Sequence, residues 1–229
     1  FDKILNPFEL QNNLRTLLEK HQIHKTSFSE VIVVHSNGLF SFVPKSLFDE
    51  NELANYLKLN AKILANDHLA YDTLENYDMV NVYVPFVNIN NYIFELFGEF
   101  EYKHNGTVLV EALLNNSGAN KEPICYVHVD GQQMSITVIS QKKLQLHNSF
   151  TFTSKEDFIY YLLFTMEQLN LETETTKLKL FGSIEEDDEI YKLCYSYIKD
   201  ITIFIPSITS YPMADTDKNT IDFTLISAL

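Results

Sequence analysis

Between Ile124 and Leu169 the apolar and polar positions change period in an orderly way. Ile124–Val129 is a short, almost wholly apolar run, which suits a strand buried on both faces. Asp130-Gly131-Gln132-Gln133 reads as a turn, and Met134–Ile139 as a second strand. After Gln141–Lys143, a further turn, the period becomes two over Leu144–Phe152. Leu144, Leu146, Phe150 and Phe152 take one face, with Asn148 the exception. Gln145, His147, Ser149 and Thr151 take the other. At Ser154 the period lengthens, and Phe158, Ile159, Leu162, Leu163, Met166 and Leu169 form the broad apolar stripe of a helix. Leu178–Phe181 and Ile201–Ile205 are two more apolar runs of strand length. They are separated by a helix that the acidic run Glu185–Glu189 opens and that continues through Leu193, Tyr197 and Ile198. Ser207–Asn219 carries no pattern, and Phe223–Leu229 is a short apolar terminal element.

The expected order in this half is therefore β-β-β-α-β-α-β, a three-strand meander followed by alternating helices and strands. That order is ribonuclease-H-like, and the actin-like and heat-shock chaperone ATPases use such a half-domain twice.

The first half reads less regularly. Asn6-Pro7-Phe8-Glu9 has the form of a capping box with proline at the first helical position. Leu10, Leu14, Leu17 and Leu18 then carry a helix from about Pro7 to Gln22. Val31–His35 and Leu39–Val43 read as strands, and Asn37-Gly38 between them predicts a hairpin. A second cap signal, Asp49 with Glu52, opens a helix carrying Leu53, Tyr56 and Leu57. Strands are expected over Leu69–Leu74 and Met79–Val84, the latter apolar enough on both faces to be central. Next come a helix over Ile89–Phe97 ending at Gly98 and a strand over Phe100–His104. A short helix over Thr107–Asn115 follows, with Thr107 as its cap. This half shows no leading three-strand meander. Asn115–Pro123 (NNSGANKEP) has turn-forming residues and no apolar period, which places a boundary there. The expected subdomains are 1–118, an incomplete ribonuclease-H-like half, and 119–229, the second half.

Composition narrows the chemistry. A hydrophobic fraction of 45% over 229 residues is enough for a buried core, so the chain is globular. The longest apolar run, Phe158–Phe164, falls far short of the ~20 residues of a bilayer span, so no membrane insertion is expected. No signal peptide is visible. Net charge is −14 and Arg15 is the only arginine, which argues against a nucleic-acid surface and against an anionic membrane surface. Cys125 and Cys194 have no CxxC partner, and buried structural thiols in a reducing, cytoplasmic compartment are expected. Cys125 and His128, three apart on a strand, point to opposite faces and cannot share a zinc ion.

Two stretches are more specific. SFVPKSLFDENELANYLKLN (Ser41–Asn60) and TSKEDFIYYLLFTMEQLNL (Thr153–Leu171) resemble the two most recognisable motifs of an uncharacterised bacterial protein family. The resemblance extends from about Asn6 to the C-terminal FTLISAL. It implies an actin-like ATPase fold, mixed α/β with sheets flanked by helices. Fold relatives of that kind include cytoplasmic actin-like proteins of pilus-assembly and type II secretion machines, an analogy that does not transfer function.

Such a fold carries its nucleotide on a Gly-rich hairpin and a Gly-Gly turn, where backbone N–H groups approach phosphate closely. The candidate residues here are Asp130, Gly131, Gly182 and Ser183. Where the pattern wants Asp-x-Gly, this chain has His128-Val129-Asp130; Gly131 comes one residue late, and Gln132-Gln133-Met134 add bulk. Gly182-Ser183 alone represents the second turn. The acids Glu185, Glu186, Asp187, Asp188 and Glu189 point in several directions and converge poorly on a metal. Ser36, Ser135 and Ser183 lack the G-x-S-x-G context of a hydrolase. His35 and His128 sit in strands and could meet acids only through the fold. Tyr160, Tyr161, Phe164, Tyr191, Tyr195 and Tyr197 crowd two helices, either covering the sheet or offering a protein-binding surface. The reading that results is a non-enzymatic scaffold or protein-binding protein with a degenerate nucleotide site, no cofactor and no metal. Its alternative is a diverged ATP-binding protein or ATPase using the cleft between the subdomains.

Overall fold

The computed structural model describes residues 5–58, 62–64, 66–118, 121–205 and 223–228. They fall into two units, Phe1–Val108 with Ala228–Leu229, and Leu109–Ser227.

The second unit is built on the sheet that the alternating pattern predicts. Strands β6 (Ile124–Asp130), β7 (Gln133–Ser140) and β8 (Lys143–Thr151) form an antiparallel meander. Helix α5 (Lys155–Gln168) leads to β9 (Lys177–Gly182), and α6 (Glu189–Tyr197) to β10 (Asp200–Ile203). Both β9 and β10 run parallel to β6, in the spatial order β10-β9-β6-β7-β8. Ser154 caps α5 by accepting the Asp157 N–H at 3.1 Å. One face of the sheet packs Cys125, Val127, Met134, Ile136, Val138, Leu178 and Leu180 into a core with Phe158, Leu162 and Met166 of α5 and Cys194 of α6. Helix α7 (Phe223–Ser227) sets Phe223 edge-on to Phe181 at 5.8 Å. Two expectations are corrected. Val138 faces Leu146 while Ile139 faces Leu144, so Gln145 bulges out. The bulge turns Leu144 away from the face it would take by simple alternation. The acidic run does not form the first turn of α6, because only Glu189 lies inside the helix and Asp188 is its N-cap. The stretch Ser207–Asn219 lies outside the described residues.

In the first unit, α1 (Pro7–Lys20) has the expected capping box. Asn6 accepts the Phe8 and Glu9 N–H groups at 3.0 Å each, and Glu9 accepts the Asn6 N–H at 2.9 Å. The helix stops two residues earlier than its period suggests, since Gln22 takes a left-handed φ of 55°. Strand β1 (Ile32–His35) pairs in parallel with β5 (Glu101–His104). Strand β2 (Phe40–Pro44) joins a separate antiparallel sheet, β2-β4-β3, with β3 at Ala70–Leu74 and β4 at Met79–Tyr83.

The Asn37-Gly38 hairpin is thus not formed. Asn37 instead accepts the Leu39 N–H at 2.8 Å and donates to the Val84 carbonyl at 2.9 Å, fixing the crossover from one sheet to the other. Val43, Val80, Val82 and Leu57, the last on α2 (Leu53–Leu57), make the core on one face of that antiparallel sheet. Asp49 caps a single 3-10 turn, Glu50–Glu52, ahead of α2 rather than the helix itself. Helix α3 (Val87–Phe97) ends at Gly98, where φ is 81°, and packs Ile89 and Ile93 on Leu18 of α1. Helix α4 (Asn105–Asn116) begins two residues before Thr107, whose hydroxyl is used elsewhere.

Order and pairing repeat between the units. The segments α1–β1 and α3–β5 form a parallel pair with a helix before each strand, as α5–β9 and α6–β10 do. The β2–α2–β3–β4 block is inserted between β1 and α3.

Candidate functional site

The fold brings the four candidate residues to one end of the five-stranded sheet. Asp130 and Gly131 sit at the β6–β7 turn, and Gly182 closes β9 directly opposite Val129 of β6. This is the carboxyl end of the parallel strands, where open α/β sheets carry ligands.

What surrounds them is main chain bonded to itself. Ser183 donates its N–H to the Val129 carbonyl at 2.7 Å, Ile184 to the Gly182 carbonyl at 2.9 Å, and Glu185 to Oδ2 of Asp188 at 2.8 Å. Three successive N–H groups after β9 are therefore committed, whereas a phosphate nest needs such groups converging on the anion. Gly182 has a φ of 91°, and a Cβ there would lie 2.2 Å from the Val129 carbonyl oxygen and 2.9 Å from the His128 ring. Glycine is required by the close approach of β6, not by space left for a ligand. Gly131 differs: at φ 55° it serves the turn, and a Cβ there would meet nothing within 4 Å. The exposed carboxylates of residues 185–189 follow at once and add negative charge beside the turn. Lys155, at the start of α5, is held 2.7 Å from Glu189.

Cys125 and Cys194 are free and buried, and burial pushes both thiols up to about 12, so neither is a thiolate at neutral pH. Among the described residues no group of three or more His, Cys, Asp or Glu side chains could hold a metal ion.

A second polar constellation, in the first unit, escapes sequence reasoning. Asp72 of β3 accepts Tyr83 Oη–H at 2.9 Å on one oxygen. Its other oxygen accepts the His104 N–H at 2.8 Å and the Thr107 hydroxyl at 2.6 Å. Thr107 in turn accepts from Nδ2 of Asn81 at 2.9 Å. Burial raises the Asp72 carboxyl above its ordinary value, and three donors pull it part of the way back. Each of these donors and each Asp72 oxygen is engaged, so the cluster ties β3 and β4 to the start of α4 rather than presenting a reactive group. The signal that could have drawn attention to it is Asn81, a fully buried amide inside an apolar central strand.

Comparison with known proteins places the family and the fold. A family model described as protein of unknown function (DUF3822) matches residues 1–201. A solved protein of Bacteroides thetaiotaomicron VPI-5482, with an actin-like ATPase fold and unknown function, aligns with a TM-score of 0.80 at 22% identity, covering 89% of this chain and 79% of its own. A PilM–PilN type IV pilus biogenesis complex aligns with a TM-score of 0.63 at 11% identity, covering 99% of this chain and 84% of that one. No curated protein matches the sequence. At these identities the solved structures establish the fold, which is that of actin-like ATPases.

Proposed function

We propose, from the premise that this chain belongs to the DUF3822 family of proteins of unknown function, that it is a non-enzymatic protein-binding scaffold. On this reading the nucleotide site of its actin-like fold has degenerated. The observation that carries it is the run of N–H groups at residues 183–185, all donating to the chain's own acceptors, beside a glycine closed off by the Val129 carbonyl. Opening that turn for a phosphate would break three hydrogen bonds before any ligand contact formed. The adjacent carboxylates would oppose the incoming charge. The alternative, a diverged ATP-binding protein, would have to recover those donors by rearranging the turn.

Two observations favour a protein partner. The similar PilM structure is itself a complex with a second protein, PilN. Helix α5 also leaves Tyr160 61% and Phe164 46% exposed, with their rings stacked at 6.0 Å, outside the core that Phe158 and Leu162 fill. Exposed aromatics of this kind are favoured at the buried centres of interfaces. Among the described residues no helix is long and apolar enough to cross a membrane, and two free buried thiols fit a cytoplasmic location.

Size-exclusion chromatography of native extract with light scattering tests the scaffold reading. The wild-type chain is expected in a complex heavier than itself, and Tyr160→Ser with Phe164→Ser should shift it to the mass of the free chain. A wild-type chain that runs alone under every condition contradicts the reading.

A further inference from the structure

We infer that His35 and His104, facing each other across the parallel β1–β5 pair, form an acid-labile latch that holds the first turns of α3 and α4. Each is the last residue of its strand, the two are in register, and they are 2% and 1% exposed.

The two rings do the same job. Nδ1 of His104 accepts the Gly106 N–H in the first turn of α4 at 3.0 Å, and its Nε2 faces the Asn37 carbonyl at 3.1 Å. Nδ1 of His35 accepts the N–H of Phe86, the N-cap of α3, at 3.4 Å, and its Nε2 faces Oδ1 of Asn90 at 2.8 Å. An imidazole can accept at Nδ1 from a main-chain N–H only when it is neutral with its proton on Nε2. Both rings therefore satisfy N–H groups that a helix start leaves without an intrahelical partner.

A second proton turns each Nδ1 contact from attraction to repulsion, while the Nε2–H bonds to Asn37 and Asn90 persist. It would set N–H against N–H at both helix starts and place positive charge at the positive ends of two helix dipoles. It would also oppose two cations across the strand pair.

Burial opposes the charged rings, and the Nε2–H bonds to Asn90 and Asn37 offset it only in part. Around His104 are Asp72 from β3, the Tyr83 ring from β4 at 5.1 Å, and the Phe40 ring from β2 at 4.8 Å. From its own helix start come the neutral Gly106 and Thr107. Around His35 are Phe86 and Asn90, at the start and on the first turn of α3, and the Tyr102 ring from β5 at 5.8 Å. Lys103, also on β5, is a cation that acts on Asp72. Asp72 is the one acid in this group, and its oxygens already hold Tyr83, Thr107 and the His104 main chain.

Burial accordingly lowers His35 and takes His104 down to about 3. The sign follows. Folded values below the ordinary 6.5 mean that the opened state binds more protons. The stabilisation is full above that pH and is lost as pH falls from there toward the folded values. Asp72, raised by burial, works in the opposite direction at the acid end of this window.

Hydrogen exchange across pH 7.5 to 4.5, corrected for intrinsic rate, is the test. Protection over residues 86–97 and 105–116 should fall by up to about a hundredfold per pH unit below pH 6, the effect of two protons. The meander β6–β8 should keep its protection. His35→Asn with His104→Asn leaves a non-titrating acceptor near each Nδ1 and should flatten that dependence. Protection that falls equally across both units, or a double variant with the wild-type dependence, overturns the latch. Should the double variant not fold, nitrogen-15 spectra of the wild-type imidazoles decide. Both rings should stay neutral Nε2–H tautomers until the α3 and α4 amides exchange. A ring that titrates near 6.5 with those amides still protected is incompatible with the inference.

Discussion

Gly182 and Gly131 both looked like phosphate-loop glycines, yet one is held by contact and the other by conformation. A Cβ at Gly182 meets main-chain oxygen at 2.2 Å, an atom that cannot move aside without shifting β6. Gly182→Ala should therefore cost at least about 2 kcal/mol in urea unfolding, with φ strain adding to the clash. Gly131→Ala, with open space around the added carbon, should cost about 1 kcal/mol from its left-handed φ alone. Equal losses at the two positions would contradict the packing argument. That glycines matter at 131 and 182 was legible from their places after β6 and β9. The turn that Gly131 serves is read from Asp130-Gly131-Gln132-Gln133 itself, but why Gly182 matters is not legible, because the Val129 carbonyl belongs to a strand 53 residues away in sequence. The Asp72 cluster was illegible for the same reason: its members at 72, 81, 83, 104 and 107 share no local spacing.

Some element ends set by local chemistry are readable, although Asp49 and Thr107 do not cap the helices their contexts suggest. Asn6 with Glu9, Ser154, and Gly98 each cap the helix that their sequence context predicts. Elements set by distant pairing were not. Asn37-Gly38 carries the best hairpin dipeptide in the chain, but β2 pairs with β4, and Asn37 spends its amide on Val84 and Leu39. The reverse case is the β7–β8 turn, where Gln141 and Lys142 adopt φ of 54° and 58° without a glycine or asparagine to ease them. Meander pairing on both flanks pays for that strain. Lys142→Gly should relieve it and raise stability by about 0.5–1 kcal/mol, after the entropy that glycine loses. Chemical denaturation would read this directly, and a loss of stability would show that the turn is not strained.

At the scale of the molecule, the period changes from Ile124 to Ile203 disclose the order of β6–β10 with α5 and α6, since the meander pairs adjacent strands and a helix precedes each of β9 and β10. The first unit was harder because the β2–α2–β3–β4 block interrupts the α-β-α-β order. Only the register of β1 with β5 shows that the interruption is an insertion. Fold and family are secure, and the candidate residues lie at one end of the five-stranded sheet beside three main-chain donors that are already bonded. A degenerate nucleotide site requires those donors to be unavailable. Calorimetric titration of the chain with ATP and Mg²⁺ tests this most directly. A degenerate site should give no saturable heat and a dissociation constant weaker than ~100 µM, short of ~−5.5 kcal/mol of binding free energy. A constant below ~100 µM that Gly131→Val abolishes, in a variant that still folds, would contradict it.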